Sequence, residues 1–383
     1  MLLSLRILLL TDFFYPRFGG IATHVEELAK TLRDLGHNVY ILTTAGETKD
    51  FDFHDGIPVF RRKSRIFAPA TFGIRAFRKR IKPLVKVIDP DLMHAHHPFS
   101  PLGIATPRIG AELGIPTVIT NHFTPPFFRQ IHFWWYGSAR ILSKIPPTNA
   151  LKMYTKAISV NPIGARFFSY VYRKKVYYIP NAIYLKEIQK FVEKKDIDPE
   201  KPTLLLIGRG SPRKGFELAF LAFKQVLKYY PAAKMLVVGP TGFTHSYLRK
   251  LANILDIEDK IEFLGYLPRK ELFRVYMRSD ILVNTSYGGE SFPMIFLEAL
   301  ALGVPIVSTV GGELKRVFSN SGAGIFLGKM DPGSLAGAII ALLKNPEKLR
   351  KMSIRGQKFI KRYDWRRVIK LIMKVYKEAL EEI

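Results

Sequence analysis

Two carboxylates and two cations stand at spacings that suit the handling of a phosphorylated sugar. Glu290 and Glu298 are eight positions apart, the first in a glycine-bearing turn and the second about two turns into the helix that the following apolar run predicts. A carboxylate cannot hold a phosphate, but it accepts hydrogen bonds from sugar hydroxyls at fixed positions. The unpartnered N–H groups at the start of the same helix favour an anion. In Gly208-Arg209-Gly210-Ser211-Pro212-Arg213-Lys214-Gly215, Arg209 offers a planar fork of donors and Lys214 an ammonium, inside a glycine-bounded loop that precedes a helix. That combination suits a diphosphate. On residue types alone a blander reading stays open at each place: Glu290 capping its helix, Glu298 on the surface, the basic loop a solvated turn.

The elements that must position these groups are legible around them. Residues 280–283 are an apolar run of strand length, and the helix after the turn is expected from about Phe292 to Leu302, with Gly303 as its stop. Residues 203–207 make the strand before the basic loop, and a helix follows from Phe216. Nearer the N-terminus, residues 6–10 read as a buried strand, Gly19-Gly20 open a helix over 21–35 that Gly36 closes, and residues 39–42 read as the next strand. Strand, turn, helix, strand implies a parallel sheet with a right-handed crossover. The turn lacks the G-x-G-x-x-G spacing, which argues against a nicotinamide cofactor. A glycine pair does let a backbone approach a phosphate closely. The polar, proline-bearing stretch 191–202 is the best linker, giving domains of 1–195 and 196–362 and a closing amphipathic helix in 363–383.

At 383 residues and 48% apolar, the chain has room for two sizeable cores. It has no cysteine, which excludes disulfides and thiolate metal sites and fits a cytoplasmic protein. The formal net charge of +27 asks for an anionic partner: nucleic acid, a membrane surface or the substrate. The apolar run 2–10 is broken by Arg6 and reads as a strand, not a signal peptide, and no window is long and apolar enough to span a bilayer.

Glu290 and Glu298, continued by Ala299-Leu300-Ala301-Leu302-Gly303-Val304-Pro305-Ile306-Val307, resemble the E-x7-E signature of the group 1 (family four) retaining glycosyltransferases, which use the GT-B fold. The basic loop resembles that family's G-R-x(4)-K-G motif. The run from Asp12-Phe13-Phe14-Tyr15-Pro16 through Gly19-Gly20 to His24-Val25, with Gly36-His37, is similar to mannosyltransferases acting on phosphoinositol lipids and to the catalytic chain of phosphatidylinositol N-acetylglucosaminyltransferase. The resemblance implies two Rossmann-like α/β domains facing across a deep cleft, with the acceptor on the first and a nucleotide diphosphate sugar on the second. It implies that Arg209 and Lys214 hold the donor phosphates beside Gly20, that Glu290 and His122 face the sugar, and that Glu298 holds the ribose. Gly265 and Tyr266 become base-side candidates, and Phe292 and Met294 lie at the donor-side helix start. Pro293 stands where many relatives have glycine, and Pro180-Asn181-Ala182 replaces a P-N-G. No nucleophile is evident, so attack from the leaving-group face is the implied route, and no metal or other cofactor is expected.

Between Arg61 and Lys86 lie ten basic residues and no acidic one. Ile74, Phe77, Ile81 and Leu84 fall at helical spacing beside Arg75, Arg78, Lys79, Arg80 and Lys82, and Pro83 is expected to limit the helix. The pattern fits an anionic membrane or lipid acceptor, hence a peripheral place at the inner face of the membrane, or equally a helix docked on the core. His94 and His96 share one face of a strand end, a spacing that metal sites use, but no carboxylate or thiolate follows at ligand distance. The D-x-D pairs Asp50/Asp52, Asp89/Asp91 and Asp196/Asp198 read as chance. The aromatic stretch 123–154 could wall an acceptor pocket, enter headgroups or simply pack. Two rivals remain: a nucleic-acid-binding protein, which the charge alone suggests and no recognition motif supports, and a nucleotide-sugar epimerase on the same fold.

Overall fold

The computed structural model describes residues 4–16, 19–44, 49–63, 73–122, 148–193, 198, 200–287 and 290–382. The chain forms two compact units, one of Met1–Ala182 with Trp365–Ile383 and one of Ile183–Asp364. Residues 183–193, placed with the first domain on sequence, thus pack with the second unit.

In the first unit the elements are β1 (Arg6–Thr11), α1 (Gly20–Asp34), β2 (Asn38–Thr43), β3 (Phe51–His54), β4 (Ile57–Arg61), α2 (Ile74–Ile88), β5 (Leu92–His96), α3 (Pro101–Leu113), β6 (Thr117–Asn121), β7 (Lys156–Ser159), α4 (Pro162–Tyr172) and β8 (Val176–Tyr178). The sheet order is β3-β4-β2-β1-β5-β6-β7-β8. Every pair is parallel except β3 with β4, an antiparallel edge hairpin that the apolar periodicity did not announce. Leu8, Leu10, Met93, Ala95 and Ile119 on the inner strands are wholly buried, as expected for a sheet covered by helices on both faces.

α2 departs from expectation. Pro83 lies inside it and the helix continues to Ile88, burying Ile74, Phe77, Ile81, Val85 and Ile88. Pro83 is on the exposed side, where water takes the carbonyl that loses its amide partner.

The second unit contains α5 (Leu185–Gln189), β9 (Thr203–Ile207), α6 (Phe216–Leu227), β10 (Lys234–Val238), α7 (Gly242–Ile254), β11 (Ile261–Gly265), α8 (Arg269–Met277), β12 (Ile281–Asn284), α9 (Met294–Ala301), β13 (Ile306–Ser308), α10 (Gly312–Ser319), β14 (Gly324–Phe326), α11 (Pro332–Leu343) and α12 (Pro346–Phe359). Its all-parallel sheet runs β11-β10-β9-β12-β13-β14. α9 begins at Met294 rather than Phe292, because Pro293 holds an extended conformation just before it, and Gly303 at φ 74° follows its end.

The last helix, α13 (Trp365–Leu380), belongs to the first unit. Its stripe of Trp365, Val368, Ile369, Ile372, Val375, Tyr376 and Ala379 is buried. Trp365 Nε1 donates to Glu27 Oε2 on α1 at 2.7 Å, so the closing helix is tied by a specific bond as well as by apolar area.

Both sheets reverse strand order once, at β1 between β2 and β5 and at β9 between β10 and β12. Ligands of open α/β sheets bind outside the carboxyl ends of strands at such a switch point. The loops after β9 and β12 carry the basic motif and the first glutamate.

Candidate functional site

In the second unit the loop after β9 and the loop after β12 are joined. Tyr287 donates its backbone N–H to the Arg213 carbonyl at 2.8 Å, and Thr285 Oγ1 donates to the Lys214 carbonyl at 2.9 Å. Gly215 allows this approach: it has φ 62°, and a Cβ there would stand 2.3 Å from the Thr285 carbonyl oxygen. The junction carries Lys214 onto Glu290, with Nζ 2.5 Å from Oε1. Ser286 Oγ donates to the same carboxylate oxygen at 2.9 Å, and Asn284 Nδ2 donates to Ser286 at 3.2 Å. Glu290 is therefore not a helix cap. Burial alone would raise its carboxyl, but the Lys214 charge, the bonds from Lys214 and Ser286, and the charge of Arg213 outweigh burial and hold it below the usual carboxylate range. Arg209 is exposed and makes no ion pair among the described residues, so its guanidinium is available to an anion. Gly288 and Gly289, between these loops and Glu290, lie outside the described residues.

Glu298 lies on α9 and is buried, not on the surface. Tyr276 at the end of α8 donates to its Oε2 at 3.1 Å, and a guanidinium nitrogen of Arg269 stands 3.9 Å from Oε1. Burial pushes its carboxyl up by more than Arg269 and Tyr276 pull it down, and it titrates above the usual range. A desolvated carboxylate with few partners gains most from new hydroxyl donors.

Gly265 ends β11 at φ 61° and its carbonyl accepts from Gly239 N at 2.7 Å; Tyr266 beside it is exposed. Phe292 and Met294 are buried, Phe292 against Phe318 and Tyr363 with ring centroids at 5.3 and 5.4 Å. Their side chains belong to the core, so contact with a ligand there falls to the backbone.

In the first unit, Gly20 is exposed at the first position of α1. Behind it, α1, β5 and the end of β6 converge on histidines. His94 is saturated: Nδ1 shares a 2.7 Å hydrogen bond with the Tyr376 hydroxyl, and Nε2 one of 2.8 Å with Thr120 Oγ1. His96 Nδ1 lies 3.2 Å from His122 Nε2. The His24 ring meets that of His122 edge-on at 4.7 Å. Burial depresses all four, reinforced by neighbouring rings at His94, His96 and His122: His24 and His94 to about 3, His96 and His122 well below the ordinary value. The cluster is neutral at physiological pH.

On α2, Arg75, Lys79 and Arg80 are exposed, whereas Arg78 and Lys82 pair with Glu112 of α3 at 3.2 and 2.5 Å. Of the D-x-D pairs, Asp52 binds Arg61 at 3.1 Å, and Asp89 and Asp91 bind Arg6 at 2.9 and 3.5 Å. Asp196 and most of the aromatic stretch fall outside the described residues. No described helix is long and apolar enough to cross a membrane.

Sequence reasoning passed over Ser286, Tyr276, Arg269 and His24. Tyr276 and Arg269 sit on a helix with no polar motif, and only the packing of α8 beside α9 brings them to Glu298. His24 lies in the first-domain run that carries the family resemblance, but nothing in its spacing pointed to His96 and His122.

Residues 187–359 match the family described as glycosyl transferases group 1, and residues 18–187 match glycosyltransferase family 4. The chain is 26% identical to the phosphatidyl-myo-inositol mannosyltransferase of Mycolicibacterium smegmatis, over 97% of this chain and 93% of that protein. It is 28% identical to a phosphatidylinositol N-acetylglucosaminyltransferase chain of Arabidopsis thaliana, over 99% and 83%. Among solved structures, the Anabaena protein HepE, in complex with UDP and glucose, superposes with a TM-score of 0.76 at 17% identity, over 98% of this chain and 100% of that one.

Proposed function

We propose that this chain, which belongs to the glycosyltransferases of group 1 and family 4 and has the GT-B fold, moves a hexose or N-acetylhexosamine from a nucleotide diphosphate sugar to a lipid-linked or phosphoinositol-type acceptor. Transfer retains the anomeric configuration and needs no metal. The observation that carries the reading is the meeting of Lys214 and Glu290 at 2.5 Å, where the loops after β9 and β12 join. Each of the two has a ligand group it serves better than the other: an ammonium suits a phosphate, and a carboxylate suits sugar hydroxyls. The names of the relatives support a phosphoinositol-type acceptor, and the UDP complex of the Anabaena neighbour is in keeping with a nucleotide diphosphate leaving group.

In this reading the bond from the anomeric carbon to the β-phosphate oxygen breaks. A bond from that carbon to the acceptor hydroxyl oxygen forms on the same face, and the hydroxyl proton passes to a phosphate oxygen of the departing nucleotide. Arg209, Lys214 and the N-terminal amides of α9 take up the charge that grows on the diphosphate. Glu290 orients the sugar. Glu298 accepts from the ribose, and the backbone at Gly265 and Tyr266 meets the base. The exposed Arg75, Lys79 and Arg80 give the first unit a basic face for an anionic lipid surface.

A thermal-shift series with uridine, guanosine and adenosine diphosphate sugars tests the reading. One of them stabilises the protein in proportion to its occupancy, and transfer to phosphatidylinositol with that donor proceeds in a metal chelator with retained anomeric configuration. A protein indifferent to all three, or an inverted product, defeats it.

A further inference from the structure

We propose that His24, His96 and His122 form a binding site for a borderline divalent cation, zinc above all. One ring nitrogen from each lies within 4.8 Å of the others. His96 Nδ1 and His122 Nε2 stand 3.2 Å apart. Two imidazole nitrogens on a tetrahedral zinc ion, each at about 2.0–2.1 Å, are separated by roughly 3.4 Å. That pair already has ligand spacing. The three rings come from α1, β5 and the end of β6, so the fold and not a loop sets their separation.

A second observation points to a ligand. His24 is buried and neither of its ring nitrogens has a hydrogen-bond partner among the described residues. Orphaned buried polar atoms are few in folded proteins, and a metal is one of the things that satisfies them. The His94 ring, itself held by Tyr376 and Thr120, lies 4.3 Å from that of His96 and packs behind the ligand rings. His122 is half-buried. An all-imidazole set selects zinc, copper or nickel over magnesium or calcium.

The other group with ligand spacing, Glu26, His54 and Asp55, does not compete. Lys30 stands 2.8 Å from Glu26 and 2.5 Å from Asp55, and its ammonium already occupies the place of a cation.

The test uses the full chain without a polyhistidine tag, stripped with a chelator. Zinc is measured by equilibrium dialysis, and cobalt(II) serves as the visible-absorption probe of coordination. The expected result is one zinc per chain and the cobalt bands of a site with three imidazole nitrogens. His122→Ala weakens binding by on the order of 100-fold or more, and His54→Ala leaves it unchanged. His24→Ala behaves like His122→Ala; if that more buried variant loses its circular dichroism, the half-buried His122→Ala and His122→Gln carry the decision. No stoichiometric zinc, equal zinc affinity in a folded His122→Ala, or loss confined to His54→Ala overturns the assignment.

Discussion

Tyr276 donates its phenolic hydrogen to Glu298 across 3.1 Å, and both side chains are buried. The pair is costly in the free protein: burial raises the Glu298 carboxyl above its usual range. A raised carboxyl means that folding favours the protonated form. The associated stability is present below the unfolded-chain value and is lost as pH rises through the folded value, so above that range the group opposes folding. Glu298→Gln keeps an acceptor for Tyr276 and removes the buried ionisable carboxyl. It is expected to raise stability by about 1 kcal/mol, or about 2–4 °C in Tm, and to weaken nucleotide binding about 10-fold. Calorimetry with and without the nucleoside diphosphate checks both. A variant that is less stable and binds as before refutes the assignment to ribose.

The contact of Lys214 with Glu290 predicts two separable defects. Lys214→Ala removes an ammonium from the developing diphosphate charge and is expected to lower kcat by about 10²–10³-fold with the fold intact. Glu290→Gln keeps the size of the side chain and a hydrogen-bond acceptor. Its loss is expected in transfer, while affinity for the free nucleoside diphosphate changes little. Turnover by purified protein and a titration with the diphosphate alone distinguish them. Wild-type turnover in either variant removes that residue from the reaction.

The buried histidines predict acid sensitivity. His24 and His94 titrate at about 3 and His97 at about 4 in the folded chain, each depressed chiefly by burial. In the unfolded chain they titrate near 6.5. Between those values the unfolded state binds protons that the folded state refuses, so stability is full above about 6.5 and falls as pH drops toward the folded values. Each histidine contributes a slope of up to about 1.4 kcal/mol per pH unit in that window. Urea midpoints measured from pH 7 down to pH 5 should decline steadily; a flat profile contradicts the buried, neutral cluster.

The exposed basic residues of α2 predict lipid dependence. Arg75, Lys79 and Arg80 face outward, while Arg78 and Lys82 are engaged by Glu112. Replacing the three outward residues with Gln removes about 1 kcal/mol of attraction each, so binding to vesicles containing anionic phosphatidylinositol should fall by roughly 10²-fold. Sedimentation with anionic and neutral vesicles measures it. Equal binding to both kinds, or no change in the variant, shows that this face does not meet lipid.

Features whose geometry is local can be read from the order of the residues. A strand, a glycine-bearing turn and a helix following one another within about twenty residues place Arg209 and Lys214, or Glu290 and Glu298, at a strand's carboxyl end, because chain connectivity leaves them no other place. Alternating strands and helices likewise dictated two parallel sheets, although the β3–β4 hairpin and the passage of α2 through Pro83 went unread. The tertiary structure alone decided which of those ends are neighbours. Lys214 reaches Glu290 across 76 positions because β9 and β12 are adjacent in the sheet. Tyr276 reaches Glu298 because α8 packs beside α9, and His24, His96 and His122 meet because α1 begins where β5 and β6 end. Trp365 finds Glu27 across 338 positions only because the last helix returns to the first unit. Such pairs depend on sheet order and helix packing, which many distant apolar contacts decide jointly, and no short spacing along the chain encodes them.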